Sequence, residues 1–151
     1  MALVDDADFA ALNQYKWFAE KHRSGNFYAV RGSSLKNGKQ HLIRMHRQIL
    51  GLEFKDKRQG DHKNHNTLDN QRDNIRICTN QQNTTNKKIR LNATSRFKGV
   101  YWNKLAKKWH AQIGINGKHK HLGFWKLEEL AALAYDFAAL KYHREFAVFN
   151  F

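Results

Sequence analysis

Hydrophobic and polar positions alternate along several short segments of the chain, and the clearest ones lie in its second half. The segments "RFKGVYW", "WHAQIGI" and "KHKHLGFW" predict three strands, and Asn116-Gly117 predicts a two-residue hairpin turn between the last two. The stretch "LEELAALAYDFAALKYH" that follows predicts a helix, with glutamates in its first turn and basic residues in its last. This half should therefore be a three-stranded antiparallel sheet packed on one helix.

The same alternation separates two faces of the C-terminal hairpin. Across an Asn-Gly turn Ile115 pairs with Lys118, and the residues that then share a face can be read in steps of two. One face is apolar and should cover the helix: Trp109, Ala111, Ile113, Ile115, Leu122 and Phe124. The other is polar: His110, Gln112, Gly114, His119 and His121. Most polar faces are only solvated, but here the flanking lysines favour contact with DNA. A zinc site of the three histidines is disfavoured, because no cysteine or carboxylate accompanies them.

The first half has a less regular pattern. A helix is predicted from Asp5 to about Tyr15, followed by extended segments around "KWFAE", "NFYAVRG" and "QHLIRM" and one helical turn at "MHRQILGL". Next come a strand ending at "GDH", a polar loop "KNHNTLDNQRDN" and a strand "IRIC". The pattern "TNQQ" is a capping box, and it predicts a helix running to about Lys87.

These elements predict an α+β protein with two domains. The first is a small α+β region that contains the strand, loop, strand and helix, and the second is the three-stranded sheet with its helix. The polar and basic segment "KKIRLNATS" is the best linker between them. The predicted domains are residues 1–90 and 94–151.

Charge points to a nucleic-acid partner. The 151 residues include 27 Lys and Arg against 13 Asp and Glu, a net charge of +14, and no acid occurs from Asn74 to Leu127. Such a segment attracts phosphates through counterion release. A merely solvated basic surface is the alternative, but it would normally intersperse the two signs. Double-stranded DNA is the expected partner, with no small-molecule substrate, and a monomer is expected.

Other classes are disfavoured by composition. A single cysteine, Cys78, allows no internal disulfide and no zinc ribbon. The N-terminus lacks the basic and apolar regions of a secretory signal, and no window is apolar enough to span a membrane. We therefore expect a cytoplasmic or nucleoid-associated protein without a membrane partner.

The residues that could carry chemistry are Asp61, His62 and Asn83. A hard cation takes oxygen ligands, often only one or two of them from the protein, and a carboxylate and an amide oxygen suit it. His62 could accept a proton from a water that attacks phosphorus. A surface Asp-His pair in an asparagine-rich loop is the plainer interpretation. The order strand, loop, strand, helix favours the chemical one.

The stretch from "MHRQILGL" through "DHKNHNTLDNQRDNIRICTNQQN" resembles the HNH nuclease family, over His46 to about Asn86. The resemblance implies a ββα-metal site with one Mg²⁺ or Mn²⁺. It makes His62 the general base, Asp61 and Asn83 metal ligands, and Asn74 a residue that steadies the loop and the histidine. The asparagine at position 83 is similar to that of phage intron-encoded HNH homing nickases. His46 stands at the family's "HR" position, where packing is a better interpretation than catalysis.

The segment from Thr94 to Phe151 resembles the plant ethylene-response-factor (APETALA-type) DNA-binding domain, through "KGV", "WHAQI", "LGFW", "AALAYDFAALK" and "FNF". That domain reads the major groove with its sheet. Its contact positions fall on Lys98, Tyr101, Asn103, Gln112, Gly114, His119 and His121. Most of the family's arginine and tryptophan readers are replaced, so no target sequence is implied. Lys87, Lys88 and Arg90 in the linker are expected to contact phosphates.

Together the two resemblances imply a divalent-metal-dependent DNA endonuclease of homing type, in a phage or bacterial host cell. The competing hypothesis is a non-catalytic DNA-binding regulator with a decayed nuclease half. A structural RNA-binding protein is a weaker third, because it leaves the Asp61 and His62 arrangement without a use.

Overall fold

The computed structural model describes residues 1–34, 40–86 and 93–151. They form helices and three antiparallel sheets, which confirms the predicted α+β class. Two compact units follow one another along the chain, Met1–Asn80 and Gln81–Phe151. The predicted linker falls mostly on residues 87–92, outside the described residues. Among the described helices, none is both long and apolar enough to cross a membrane.

The first unit begins with helix α1 (Asp6–Leu12) and a three-stranded sheet. Strands β1 (Phe18–Lys21), β2 (Phe27–Gly32) and β3 (Leu42–Arg44) are antiparallel in that order, and helix α2 (Met45–Ile49) follows β3 directly. A small core of Leu12, Ala29 and Met45 holds these elements together. The predicted elements of this region are therefore present, and α1 is shorter than expected.

A second, two-stranded sheet carries the Asp-His pair. Strands β4 (Gln59–His62) and β5 (Ile75–Cys78) pair antiparallel, so that Asp61 lies opposite Arg76. Residues 63–74 form the predicted polar loop between them. Helix α3 (Asn80–Thr85) begins directly after Thr79, as the capping pattern predicts, and ends before Lys87.

The N-terminal segment holds the polar loop in place. Leu3 forms a parallel bridge to Asp69, and the amide of Asn70 donates to the carbonyl of Leu3 at 2.8 Å. The Asp8 carboxylate binds the Arg72 guanidinium through two hydrogen bonds, at 2.6 and 2.8 Å. The loop is therefore attached to the start of the chain, 60 or more residues away in sequence.

The second unit is the predicted sheet and helix. Strands β6 (Val100–Asn103), β7 (Lys108–Ile115) and β8 (Lys118–Trp125) are antiparallel in that order, and helix α4 (Glu128–His143) packs on one face. The buried side of α4 is mostly alanine, and alanine's small side chain lets the helix approach the sheet closely. Tyr135 is the large exception, and it packs with Ile113.

The predicted faces of the hairpin are partly wrong, because the hairpin contains a β-bulge. From Ile115 to Gln112 the register follows the prediction, but it shifts by one residue between Gln112 and Ala111, so Ala111 pairs with Gly123. Phe124 then pairs with His110 and lies on the polar face, contrary to the prediction, while Trp125 takes its place against the helix. The extra residue is Leu122, which still packs into the core as predicted. The cause is the bulge, which places two residues opposite one.

The end of the chain is fastened back onto this unit. The Asp136 carboxylate on α4 accepts hydrogen bonds from the Asn150 backbone and side chain and from the Phe151 amide. Asn150 in turn bonds both backbone groups of Lys98, at 2.7 and 3.3 Å. A short 3₁₀ turn, Arg144–Phe146, turns the chain towards this attachment.

Candidate active site and nucleic-acid face

Asp61 and His62 close strand β4, and both side chains are buried. Adjacent residues on a strand point to opposite sides, so each side chain meets different neighbours. Asp61 faces Arg76 across the hairpin, and His62 faces the loop that the N-terminal segment holds. Buried Asp and His at a strand end are uncommon without partners, and both have them.

Asp61 forms an ion pair with Arg76. The Nε atom of Arg76 donates to Oδ2 of Asp61 at 2.9 Å, and both side chains are shielded from solvent. A carboxylate has two oxygens and about four lone-pair directions, so it can accept from an arginine and act as a metal ligand at the same time. The pair fixes the carboxylate's orientation at the end of β4.

His62 is oriented by Asn70, a fully buried residue of the loop. Its Nε2 atom lies 3.3 Å from Oδ1 of Asn70, and Nδ2 of Asn70 donates to the carbonyl of Leu68 at 3.1 Å. That second bond sets the amide so that its oxygen faces the ring. Because an amide oxygen only accepts, His62 must donate from Nε2, and Nδ1 becomes the basic nitrogen of the neutral ring.

His46 packs edge-on against His62. Their ring centroids are 4.7 Å apart at 72°, and Tyr28 lies against both rings. The pKa of His46 is lowered to about 3, chiefly by burial and then by His62, Arg44 and Arg47. The pKa of His62 is also lowered, chiefly by burial, although its bond to Asn70 acts the other way. Both rings are therefore neutral at neutral pH, the state that a general base needs.

Gly60 lets His46 reach this position. A Cβ atom on Gly60 would lie 2.4 Å from Cδ2 of His46 and 3.1 Å from Cδ1 of Leu50. The His46 ring therefore packs directly against the backbone of β4. Glycine is needed at this position of "GDH" because of this packing, which the sequence pattern alone does not reveal.

Asn74 and Asn83 occupy different places. The Asn74 side chain accepts from the Asn64 amide at 3.0 Å and donates to the Asp69 carbonyl at 2.7 Å, so it braces the polar loop. Asn70 is a hydrogen-bond partner of His62. Asn83 lies in α3, and its role as a metal ligand stays a prediction.

The donor chemistry at the strand end fits a hard divalent cation. Asp61 offers carboxylate oxygens at a fixed place, and oxygen is the ligand that Mg²⁺ prefers. Over residues 1–34, 40–86 and 93–151, no cluster of three or more His, Cys, Asp and Glu could hold a metal ion. An ion bound here would rely on few protein ligands and on water and phosphate oxygens, which is usual for Mg²⁺.

The free face of the C-terminal sheet is a group of aromatic and imidazole rings. His110 lies at its centre, hydrogen-bonded to His121 and 4.6 Å from the Tyr101 ring. Phe124 packs 4.8 Å from His110 and 4.9 Å from His121. Burial, and then the charge of His121, lower the pKa of His110. Gln112 pairs with His121, and Gly114 with His119, so the predicted polar positions do share this face.

The basic residues are distributed unevenly around this face. Lys108 pairs with Asn103 at one end of it. Lys120 lies on the helix side, where its Nζ donates to the Tyr142 hydroxyl at 2.7 Å. The side-chain oxygen of Asn103 accepts from the Ala106 amide and shapes the β6–β7 turn.

Lys98 has a partner within its own unit. Its ammonium donates to the carbonyl of Thr85, and burial lowers its pKa to about 8. Its predicted contact with phosphate stays a prediction. Lys87, Lys88 and Arg90 lie outside the described residues.

Three residues of these sites were not anticipated: Asn70, Arg76 and Phe124. Asn70 was hidden among the loop asparagines, which turns alone explain. Arg76 could have been found, because residues that pair across a hairpin share a face. Phe124 was misplaced by the bulge. Its signal was Gly123, since an isolated glycine in a strand often marks a bulge.

No family model and no curated protein matches the chain.

Proposed function

We propose that the protein is a divalent-metal-dependent DNA endonuclease whose general base is His62. The observation that carries this proposal is the bond from His62 Nε2 to Asn70, because it leaves Nδ1 as the basic nitrogen. A buried histidine needs a hydrogen-bond partner in any case. What supports the general-base role is that this partner is an acceptor, so that the proton of the neutral ring lies on Nε2 and not on Nδ1. The ring's lowered pKa keeps it in the basic form at neutral pH.

The proposed reaction is hydrolysis of a phosphodiester. A water oxygen forms a bond to phosphorus while its proton passes to Nδ1 of His62, and the bond from phosphorus to the 3′ oxygen breaks. The departing 3′ oxygen takes a proton from solvent water, and His62 afterwards releases its proton to solvent. The products carry a 5′-phosphate and a 3′-hydroxyl. General-base assistance of this kind is worth about 10²–10⁴ in rate.

Asp61 is the residue proposed to hold a Mg²⁺ or Mn²⁺ ion, with Asn83 as the second ligand by the HNH resemblance. When bound, such an ion stabilises charge on the phosphate and on the leaving oxygen. Arg76 holds the Asp61 carboxylate in position for this role. We further propose that the free face of the C-terminal sheet contacts double-stranded DNA and positions the cleavage site.

The test is cleavage of supercoiled plasmid with and without Mg²⁺. Wild-type protein should nick or linearise the plasmid only with the metal. His62→Asn, which keeps a polar side chain at this position, should lose at least a hundredfold in rate while DNA binding is retained and the protein stays folded by its melting temperature. His65→Asn is the matched control: a loop histidine at φ 63°, a backbone conformation that asparagine tolerates. Wild-type cleavage by His62→Asn would refute the assignment.

A second function, a non-catalytic DNA-binding regulator, also has one observation in its favour. The ion pair with Arg76 is enough to explain a buried Asp61 without any metal. In that case neither metal nor the His62 substitution would change the state of the plasmid, and DNA binding would be retained.

A further inference from the structure

Helix α4 carries an exposed apolar stripe on the side away from the sheet. Leu130, Leu133, Phe137 and Leu140 lie at spacings of three, four and three residues, which places them on one face. These residues are between 41% and 73% exposed. The opposite face, with its alanines, is already buried against the sheet. Helix α4 is therefore apolar on both sides, and a helix of that kind is normally covered on both.

The proposed DNA contacts do not account for this stripe. The free face of the sheet lies on the other side of the layer from α4, and duplex DNA offers polar grooves and phosphates rather than an apolar surface. A contiguous exposed apolar patch on a domain generally marks a contact with protein or membrane.

Charge makes DNA or an anionic membrane a poor occupant of this stripe. Helix α4 carries three carboxylates, Glu128, Glu129 and Asp136, against the single ammonium of Lys141. The chain as a whole has a net charge of +14. Arg96 forms an ion pair with Glu129, so with its charge counted this helix is a nearly neutral surface on a basic protein. Two such proteins approaching through it meet far less like-charge repulsion than through any basic face.

We propose that the stripe binds the same stripe of a second copy of this chain, with the two α4 helices antiparallel. The spacing of three, four and three reads the same from both ends, so a two-fold axis near Tyr135 brings Leu130 to the partner's Leu140 and Leu133 to its Phe137. A self-complementary patch is the requirement for a two-fold dimer. The a and d positions of a two-stranded coiled coil have this same spacing.

The ends of the helix favour the antiparallel arrangement. The first turn carries Glu128 and Glu129, and the last carries Lys141 and His143. Antiparallel pairing places each acidic first turn beside a basic last turn, whereas parallel pairing places like beside like. The helix dipoles also oppose each other favourably when antiparallel.

The interface should be weak. One helix from each protomer forms a seam smaller than the roughly 800 Å² per partner of a standard complex. We therefore expect a dissociation constant on the order of 10 µM, corresponding to about −7 kcal/mol. The proposed dimer differs from the monomer expected from sequence. It does not depend on the proposed nuclease, and a catalytically dead protein should form it equally well.

Sedimentation equilibrium of the full chain, freed of nucleic acid, tests the dimer. Wild-type protein should pass from monomer to dimer between about 1 and 100 µM, as that dissociation constant requires. The association should persist in high salt, because apolar contacts are not screened. Phe137→Glu should raise the dissociation constant at least tenfold. Leu105→Glu is the matched control, since Leu105 is 97% exposed in a turn outside the stripe and the charge change is identical.

Disulfide cross-linking tests the orientation. A mixture of Leu130→Cys and Leu140→Cys chains should form mixed disulfides under mild oxidation, while Leu130→Cys alone should form few. The native Cys78 is buried and provides a common background. Wild-type protein that stays monomeric at 100 µM, a dimer abolished by removing nucleic acid, a dimer unaffected by Phe137→Glu, or preferential self-linking of Leu130→Cys would each overturn the proposal.

Discussion

The Nε2 atom of His62 lies 3.3 Å from Oδ1 of Asn70, and both side chains are buried at the end of the β4–β5 hairpin. The asparagine's own orientation is set by its bond to the Leu68 carbonyl. Asn70 is in turn anchored by the backbone hydrogen bond from its amide to Leu3. The tautomer of one histidine is thus linked to the very start of the chain.

Asn70→Ala should therefore slow cleavage without abolishing DNA binding. We expect kcat to fall about tenfold to a hundredfold with KM unchanged, less than the ~10²–10⁴ that a general base itself provides. Steady-state cleavage and a DNA-binding titration measure the two effects. Asn66→Ala is the control, because Asn66 lies in the same loop and its side-chain oxygen accepts from the backbone amide of Leu68. A kcat equal to that of the control would show that Asn70 does not position His62.

A paired substitution distinguishes a metal ligand from a simple ion-pair partner at Asp61. Asp61→Asn keeps an acceptor towards Arg76 but removes the charge, so we expect the Mg²⁺ midpoint for cleavage to rise at least tenfold. Arg76→Gln removes the arginine while keeping the carboxylate, and should change that midpoint much less. Removing one partner of a buried ion pair can cost about 3–5 kcal/mol in stability, so melting temperatures must accompany both measurements. Equal shifts in the Mg²⁺ midpoint for the two variants would show that Asp61 has a structural role and is not a metal ligand.

The stability of the protein should fall as the pH drops below 6.5. The folded pKa of His46 is lowered to about 3, so between these values the unfolded chain binds a proton there that the folded chain does not. This lowers the free energy of unfolding by about 1.4 kcal/mol per pH unit, or roughly 2 kcal/mol between pH 6.5 and 5.0.

Urea unfolding at both pH values measures this dependence. His46→Gln cannot take up the proton. Its free energy of unfolding should therefore fall by about 2 kcal/mol less than that of wild type between the two pH values. His119→Gln, on an exposed histidine, should behave like wild type. A His46→Gln variant as acid-sensitive as wild type would contradict the effect of burial on the His46 pKa.

Two glycines with almost the same φ angle provide a controlled test of packing in the second unit. Gly99 and Gly117 have φ angles of 73° and 75°. A Cβ atom on Gly99 would lie 2.0 Å from Cδ2 of Tyr135 and 2.7 Å from the Gln112 carbonyl, whereas one on Gly117 meets nothing within 4 Å.

Gly117→Ala should lower the free energy of unfolding by about 1–2 kcal/mol, because alanine is disfavoured in the left-handed conformation. Gly99→Ala adds the displacement of the buried Tyr135 ring, and we expect a loss of more than about 4 kcal/mol or a failure to fold. Chemical denaturation of both variants gives the comparison. Equal losses would mean that Tyr135 moves aside freely.

Local patterns predicted the elements well because they depend on local chemistry. The Asn116-Gly117 turn and the alternation around it set the first four pairs of the β7–β8 register correctly. The prediction failed where a bulge intervened, since alternation carries no information about the backbone hydrogen bonds that form one. Asn70 was missed for a related reason: only its distant contacts, to Leu3 and His62, separate it from the other loop asparagines.

The proposed contact between the C-terminal sheet and DNA leads to a prediction about sequence preference. Gln112 and His121 pair on the free face, while Lys120 lies on the helix side and bonds to Tyr142. Base contacts carry specificity, and phosphate contacts mainly carry affinity. Replacing Gln112 and His121 with alanine should therefore relax the preferred site by about 1–3 kcal/mol of discrimination for each lost base contact.

Selection of cleavage sites from a random library, with parallel binding titrations, measures this preference. The control Lys120→Ala should leave the preferred site unchanged, because its ammonium faces the helix. Phe124→Ala adds a further comparison, since its ring packs on His110 and His121 and should hold them in place. We expect it to relax specificity as the double substitution does. If Phe124 were instead buried against α4, as the alternation alone predicted, its replacement would lower stability. If the double variant selects the same sites as wild type with the same preference, the free face does not read DNA, and recognition must come from the first unit.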